Sequence, residues 1–208
     1  TTEINSANDN PLFDPETGDV LHGGHFYGGH ACYVADTLKV QVANLADLMD
    51  RQLATLVDTR YSNGLPSNLS GATGERAAIN HGFKAVQIAV SAWTAEACKL
   101  TMPASVFSRS TECHNQDKVS MGTIASRDAL RVNTLVAQIT AAHLMANAQA
   151  VEIRLRSGEL TEEIVGDAIM SQIRAVREHS AFLEEDRPLD KELRSLTDAI
   201  LAGSIKLI

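Results

Sequence analysis

Aromatic residues are scarce: 4% of the 208 residues, with a single tryptophan. A core with so few rings must be filled by small and straight-chain side chains, and these favour close-packed helices. Cysteine is equally sparse. Cys32, Cys98 and Cys113 are odd in number and show no CxxC spacing, which reads as reduced thiols in a cytoplasmic compartment rather than a disulfide framework. Positive charge is in deficit, with 18 Lys and Arg against 26 Asp and Glu. No basic stripe is present to displace counterions, which argues against nucleic acid or an anionic membrane as partner. No apolar run approaches the ~20 residues that span a bilayer, and no signal-peptide pattern is visible.

What is present is a globular composition, 44% hydrophobic, with long helical periodicities. Residues 31–59 repeat apolar side chains at three- and four-residue steps: Val34, Leu38, Val42, Leu45, Leu48, Met49, Leu53 and Leu56. Residues 75–100 and 119–155 predict two more long helices, the first with Phe83, Val86, Val90 and Trp93 as its apolar face. Residues 157–208 read as shorter helices broken at Gly158, Gly166 and Arg187-Pro188. Near the start, Leu12-Phe13 and Val20-Leu21 flank a Pro-Glu-Thr-Gly-Asp turn, which predicts a small β-hairpin. The fold class expected is therefore all-α, a long-helix bundle with one hairpin. The chain begins at Thr1 without Met and in mid-element, as a fragment, a processed subunit or a truncated chain would.

Long irregular segments in a helical protein tend to carry function. Three stand out here: 8–29, 61–74 and 101–118. The last holds Glu112, Cys113, His114, Asn115, Gln116 and Asp117 in succession, a density that lines a site or caps a helix; Asp117 is placed to N-cap the helix expected from Val119. In the first, His22, His25 and His30 could bind zinc, but no carboxylate or thiolate at fixed spacing completes a site, so no metal is assigned. The Gly23-Gly24 and Gly28-Gly29 pairs look like backbone that approaches something closely. Lys84 lies beside the apolar face of its helix, where a snorkelling surface lysine is the plainer reading. Thr1 could act as an N-terminal nucleophile, yet nothing else supports that chemistry.

Four collinear segments give these residues a context. They are Asn8-Asp9-Asn10-Pro11 within residues 3–12; His22-Gly23-Gly24-His25-Phe26; the Asn63-Gly64-Leu65-Pro66-Ser67-Asn68-Leu69 loop; and Glu112-Cys113-His114-Asn115-Gln116-Asp117 with Ser120-Met121-Gly122. Together with Gly82-Phe83-Lys84, they resemble the C-terminal half of the histidine, phenylalanine and tyrosine ammonia-lyase and 2,3-aminomutase family. The resemblance runs over residues 1–155, as the C-terminal half of a catalytic core, with residues 156–208 as a short-helix tail packing on it.

The resemblance implies a helical fold, a tetramer and active sites built from more than one chain. It also implies the electrophile 4-methylidene-imidazol-5-one (MIO), which forms from an Ala-Ser-Gly tripeptide. This sequence contains no Ala-Ser-Gly. An N-terminal half or larger subunit must then supply it, and the chain alone should be inactive. By resemblance, Asn10, Glu112 and Gln116 are the catalytic positions, with Glu112 close to the substrate amine. Phe26, Lys84, Ile88 and Asn115 surround a small aromatic amino acid and the prosthetic group. Lys84 is more like the phenylalanine and tyrosine enzymes than the histidine branch, and His25 stands where many relatives have Asn. A non-catalytic scaffold and the histidine branch stay open as alternatives.

Overall fold

The computed structural model describes residues 1–24 and 26–205. It is all-α apart from one hairpin. A 3-10 turn, Glu3–Asn5, precedes strands β1 (Leu12–Phe13) and β2 (Val20–Leu21). These pair antiparallel, Leu12 with Leu21 and Phe13 with Val20, as the turn chemistry predicts. The Asp14 carboxylate accepts the Glu16 N–H at 2.9 Å, closing the turn.

Three long helices follow: α1 (Gly29–Val57), α2 (Lys84–Lys99) and α3 (Gly122–Arg156). Helix α1 lies along α3, and α2 packs on both. The period of α1 is as expected, but its buried face is not the row of larger side chains. Val34, Leu38, Leu45 and Leu48 are exposed, while Cys32, Ala35, Ala43, Ala46, Leu53 and Val57 are buried. Small side chains let two helix backbones approach closely. The alanines of α1 therefore meet those of α3, such as Ala125, Ala129, Ala141, Ala142 and Ala146. Leucines placed there would hold the helices apart.

The second helix begins nine residues later than its periodicity suggests. Residues Gly74–Ile79 form a 3-10 turn instead, and the chain then reverses at His81 and Gly82. Asp186, more than a hundred residues away, accepts both backbone N–H groups there at 2.8 Å. Gly82 sits at φ +53°, and a Cβ on it would lie 2.4 Å from the Asn68 carbonyl oxygen, which itself accepts the Phe83 N–H at 2.8 Å. Gly82→Ala is accordingly expected to destabilise the protein by about 2 kcal/mol, through left-handed strain and the displaced backbone contact. A denaturant midpoint unchanged from wild type would contradict this.

Beyond Gly158 the chain forms α4 (Glu162–Val165), α5 (Asp167–Arg177) and α6 (Asp190–Leu201). Both longer helices are amphipathic. Met170, Ile173 and Val176 of α5 and Leu196 of α6 are buried in the same core cluster as Leu53, Phe83, Val90, Ile139 and Met145. Gln149, fully buried on α3, ties this region down. Its Nε2 donates to the carbonyls of Leu69 (3.2 Å) and Leu183 (3.0 Å), and its Oε1 accepts the Leu183 N–H at 3.0 Å. No described helix is long and apolar enough to cross a membrane.

Candidate active site

Residues 108–121 form a loop closed at its neck and again at its tip. At the neck, Ser108 Oγ donates to the Val119 carbonyl at 2.7 Å. At the tip, Thr111 and Gln116 form an antiparallel bridge, and Thr111 Oγ1 also donates to Gln116 Oε1 at 3.2 Å. Between them Glu112, Cys113 and His114 all have positive φ, at 54°, 52° and 67°. Three consecutive non-glycine residues in the left-handed region are costly, and such strain gathers at functional sites. The turn presents the Glu112 carboxylate outward, and Asn115 Nδ2 donates to its Oε2 at 3.3 Å. Glu112, Asn115 and Gln116 are thus brought together on one exposed turn.

Asp117 does not cap α3. The helix begins at Gly122, with Met121 at φ +59° before it, and Ser120 Oγ accepts the Gly122 N–H at 3.2 Å. The left-handed residue at 121 turns the chain sharply and separates Asp117 from the helix end.

The other expected site residues lie on separate elements. Asn10 is exposed, and its Oδ1 accepts the Gly23 N–H at 3.0 Å; among the described residues its Nδ2 donor has no partner. Phe26 is 53% exposed just before α1. Lys84 and Ile88 stand one turn apart on the outer side of α2, and both are exposed. Among the described residues no hydrogen bond or ion pair joins Asn10, Phe26, Lys84 or Ile88 to the Glu112 loop. His25 lies outside the described residues, so neither its own role nor the His22, His25, His30 triplet is placed. Among the described residues no three His, Cys, Asp or Glu side chains group as a metal site. A Cβ on Gly28 would lie 3.5 Å from Ser120 Oγ, so this glycine does border another segment, whereas Gly24 faces open space.

A groove of about 670 Å³ lies away from these residues, lined by Leu56, Tyr61, His143, Asn147, Val151 and Arg154 among others. Burial pushes the His143 imidazole below its ordinary pKa, and Asn147 Nδ2 lies 3.0 Å from its Nδ1. None of the expected site residues lines it.

The sequence reading missed a buried ion pair under the loop. Lys39 is fully buried, and its Nζ donates to Asp36 Oδ1 at 2.9 Å and to the Met102 carbonyl at 2.9 Å. Asp128 Oδ2 is 3.7 Å away. Asp36 also accepts the N–H groups of Ala104 (2.9 Å) and Ser105 (3.2 Å). Burial alone would raise the Asp36 pKa. The Ala104 N–H, the Lys39 ammonium and the Ser105 N–H outweigh it and bring the carboxyl down to about 2. This lies below the ~3.9 of an unfolded aspartate. The resulting stability is therefore complete above about pH 4 and is lost as pH falls through about 2. Acid melts should show a loss across that window that Asp36→Asn lacks; parallel profiles would count against it. The available signal was the position of both charges, three apart, on the side of α1 that also carries Cys32, Ala35 and Ala43.

Comparison with known proteins places this geometry. A family model described as aromatic amino acid lyase matches residues 1–177. A tyrosine ammonia-lyase of Cereibacter sphaeroides is 40% identical over 206 residues, covering 98% of this chain and 38% of that protein. The structure of histidine ammonia-lyase from Trypanosoma cruzi superposes with a TM-score of 0.85 at 29% identity, over 97% of this chain and 38% of that one. Tyrosine aminomutase from Streptomyces globisporus gives the same TM-score at 32% identity, over 99% and 39%. The chain thus spans somewhat over a third of the length of these relatives. With the family model matching residues 1–177 and these relatives covering nearly the whole chain, the protein belongs to the aromatic amino acid lyase family.

Proposed function

We propose that this chain is the C-terminal portion of an MIO-dependent ammonia-lyase or 2,3-aminomutase acting on phenylalanine or tyrosine in the cytoplasm. Residues 1–155 would form the C-terminal half of its catalytic core and residues 156–208 a supporting tail. The observation that carries the reading is the 111–116 turn: a strained backbone spends conformational energy to hold a carboxylate and two amides on one exposed edge. The choice of the phenylalanine and tyrosine branch rests on the resemblance at Lys84; by identity a tyrosine ammonia-lyase at 40% and a histidine ammonia-lyase at 35% both match nearly the whole chain.

The residues present suit the prosthetic group. Asn10 offers an amide whose Nδ2 has no partner among the described residues, Phe26 an exposed ring, and Asn115 and Gln116 further amides. When bound, the group supplies the electrophile that activates the amine as a leaving group. It would come from an N-terminal half or subunit bearing Ala-Ser-Gly, because this chain has none. Within this chain, Asn10 Nδ2 donates to oxyanion character developing at the substrate carboxylate. Glu112 holds the substrate ammonium or accepts its proton. Lys84 and Ile88 border the side-chain pocket.

The test is to co-express the chain with an Ala-Ser-Gly-bearing N-terminal portion, isolate the complex, determine its assembly state, and assay phenylalanine, tyrosine and histidine. Release of arylacrylate or formation of a β-amino acid supports the reading and separates lyase from mutase. Turnover of histidine alone moves the chain to the histidine branch, and a stable tetramer without turnover supports a scaffold.

A further inference from the structure

The Asp36–Lys39 pair lies on α1 between the segment that carries Phe26 and the contacts to the chain that leads into the Glu112 loop. The first turn of α1 follows directly on Phe26. Two turns later one face of the same helix holds residues 102–105: Lys39 donates to the Met102 carbonyl, and Asp36 accepts the Ala104 and Ser105 N–H groups. Three residues further on, Ser108 closes the neck of the Glu112 loop through the Val119 carbonyl. The descending arm leads into α3, whose Asp128 approaches Lys39 at 3.7 Å. Around the pair the packing is made of Cys32, Ala35, Ala104, Ala125 and Ala129, all buried, with the half-buried Met121 at the end of the loop packed against them. Apart from Met121 these side chains are small, so the charged contacts carry much of the hold on residues 102–105.

A fully buried lysine is rare, and removing one partner of such a pair is strongly destabilising because the other charge is left unpaired. A shape-matched apolar pair would hold α1 to α3 equally well. What it would not do is grip one carbonyl and two N–H groups of a single short segment. We propose that Asp36 and Lys39 are positioning residues that set the Glu112 turn relative to α1 and the Phe26 segment before it, and thereby the placement of the substrate amine. This rests on the role given to Glu112 above.

The test uses the assembled enzyme, with Lys39→Met and the uncharged pair Asp36→Asn/Lys39→Met; the latter leaves no unpaired buried charge and keeps the protein foldable. Hydrogen exchange at residues 104–119 should quicken at least about tenfold in both variants, while α2 and α5 keep wild-type protection. kcat should fall roughly 100-fold with KM changed less than about threefold, since small misplacement of a reacting group acts on the chemical step. In a Glu112→Gln background the same substitutions should cost little more, because both act through one carboxylate. Wild-type exchange in the loop, with Glu112→Gln impaired, overturns the positioning role and spares the reading of Glu112. A loosened loop with unchanged kcat, or losses fully additive to Glu112→Gln, also overturns it. Wild-type kinetics for Glu112→Gln itself overturns the reading of Glu112 and the positioning role together.

Discussion

Glu112→Gln is expected to lower kcat of the assembled enzyme by about 10²- to 10⁴-fold, the range typical for removing a group that handles a proton in the transition state. Glutamine is the informative replacement because it keeps the shape. Its carbonyl oxygen can still accept from Asn115 Nδ2, as Oε2 does at 3.3 Å, and the Thr111–Gln116 bridge is untouched. What is lost is the negative charge and the ability to accept a proton. The turn should therefore stay folded, and the melting temperature should stay close to wild type. KM should rise only where the charge also grips the ammonium in the ground state. Unchanged kcat and KM on phenylalanine and tyrosine would refute the role. Glu112→Asp, which keeps the charge on a shorter arm, should recover part of the rate.

Gln149→Leu is expected to destabilise the protein by roughly 3–5 kcal/mol, read from the shift of a urea unfolding curve at constant slope. Leucine fills nearly the same volume, so no cavity is made. The loss comes from three backbone groups, the carbonyls of Leu69 and Leu183 and the N–H of Leu183, which Gln149 satisfies from α3. Water has little room to replace it: a Cβ added to Gly71 would lie 2.3 Å from the Leu183 carbonyl oxygen. A buried donor or acceptor left without a partner costs about 1–3 kcal/mol. A shift under about 1 kcal/mol would mean that the backbone around residue 183 relaxes to other partners.

These two residues also mark what a linear reading can and cannot reach. The helix periods, the hairpin and the polar turn were legible because each depends on neighbours in sequence: Leu12 faces Leu21 as the turn dictates, and Phe83, Val86, Val90 and Trp93 do turn inward. The collinear motifs made the family legible for the same reason. The choice of face on α1 was not legible. The larger side chains Val34, Leu38 and Leu45 form as good a stripe as the alanines, and only the opposing alanines of α3 decide between them. The start of α2 was hidden because Asp186 enforces it from across the chain. Asp36 and Lys39 look like an ordinary surface pair three residues apart, and nothing local says that residues 102–105 cover them. Of the expected site residues, Glu112, Asn115 and Gln116 are neighbours in sequence, so their grouping on one turn was legible locally. The relation of that turn to Asn10, Phe26, Lys84 and Ile88 is a matter of distant elements, which no spacing encodes.

The alanine seam between α1 and α3 sets a problem for the ribosome. The last residue of α1 is made about 100 residues before the last of α3, which at ordinary rates of elongation is a wait of roughly 5–20 s. Until α3 is made, Leu53 and Val57 lack its cover, and for about the first half of the wait Lys39 and Asp36 also lack their partners at residues 102–105. Slowing translation between residues 57 and 122 should therefore increase aggregation more than slowing it anywhere after residue 156.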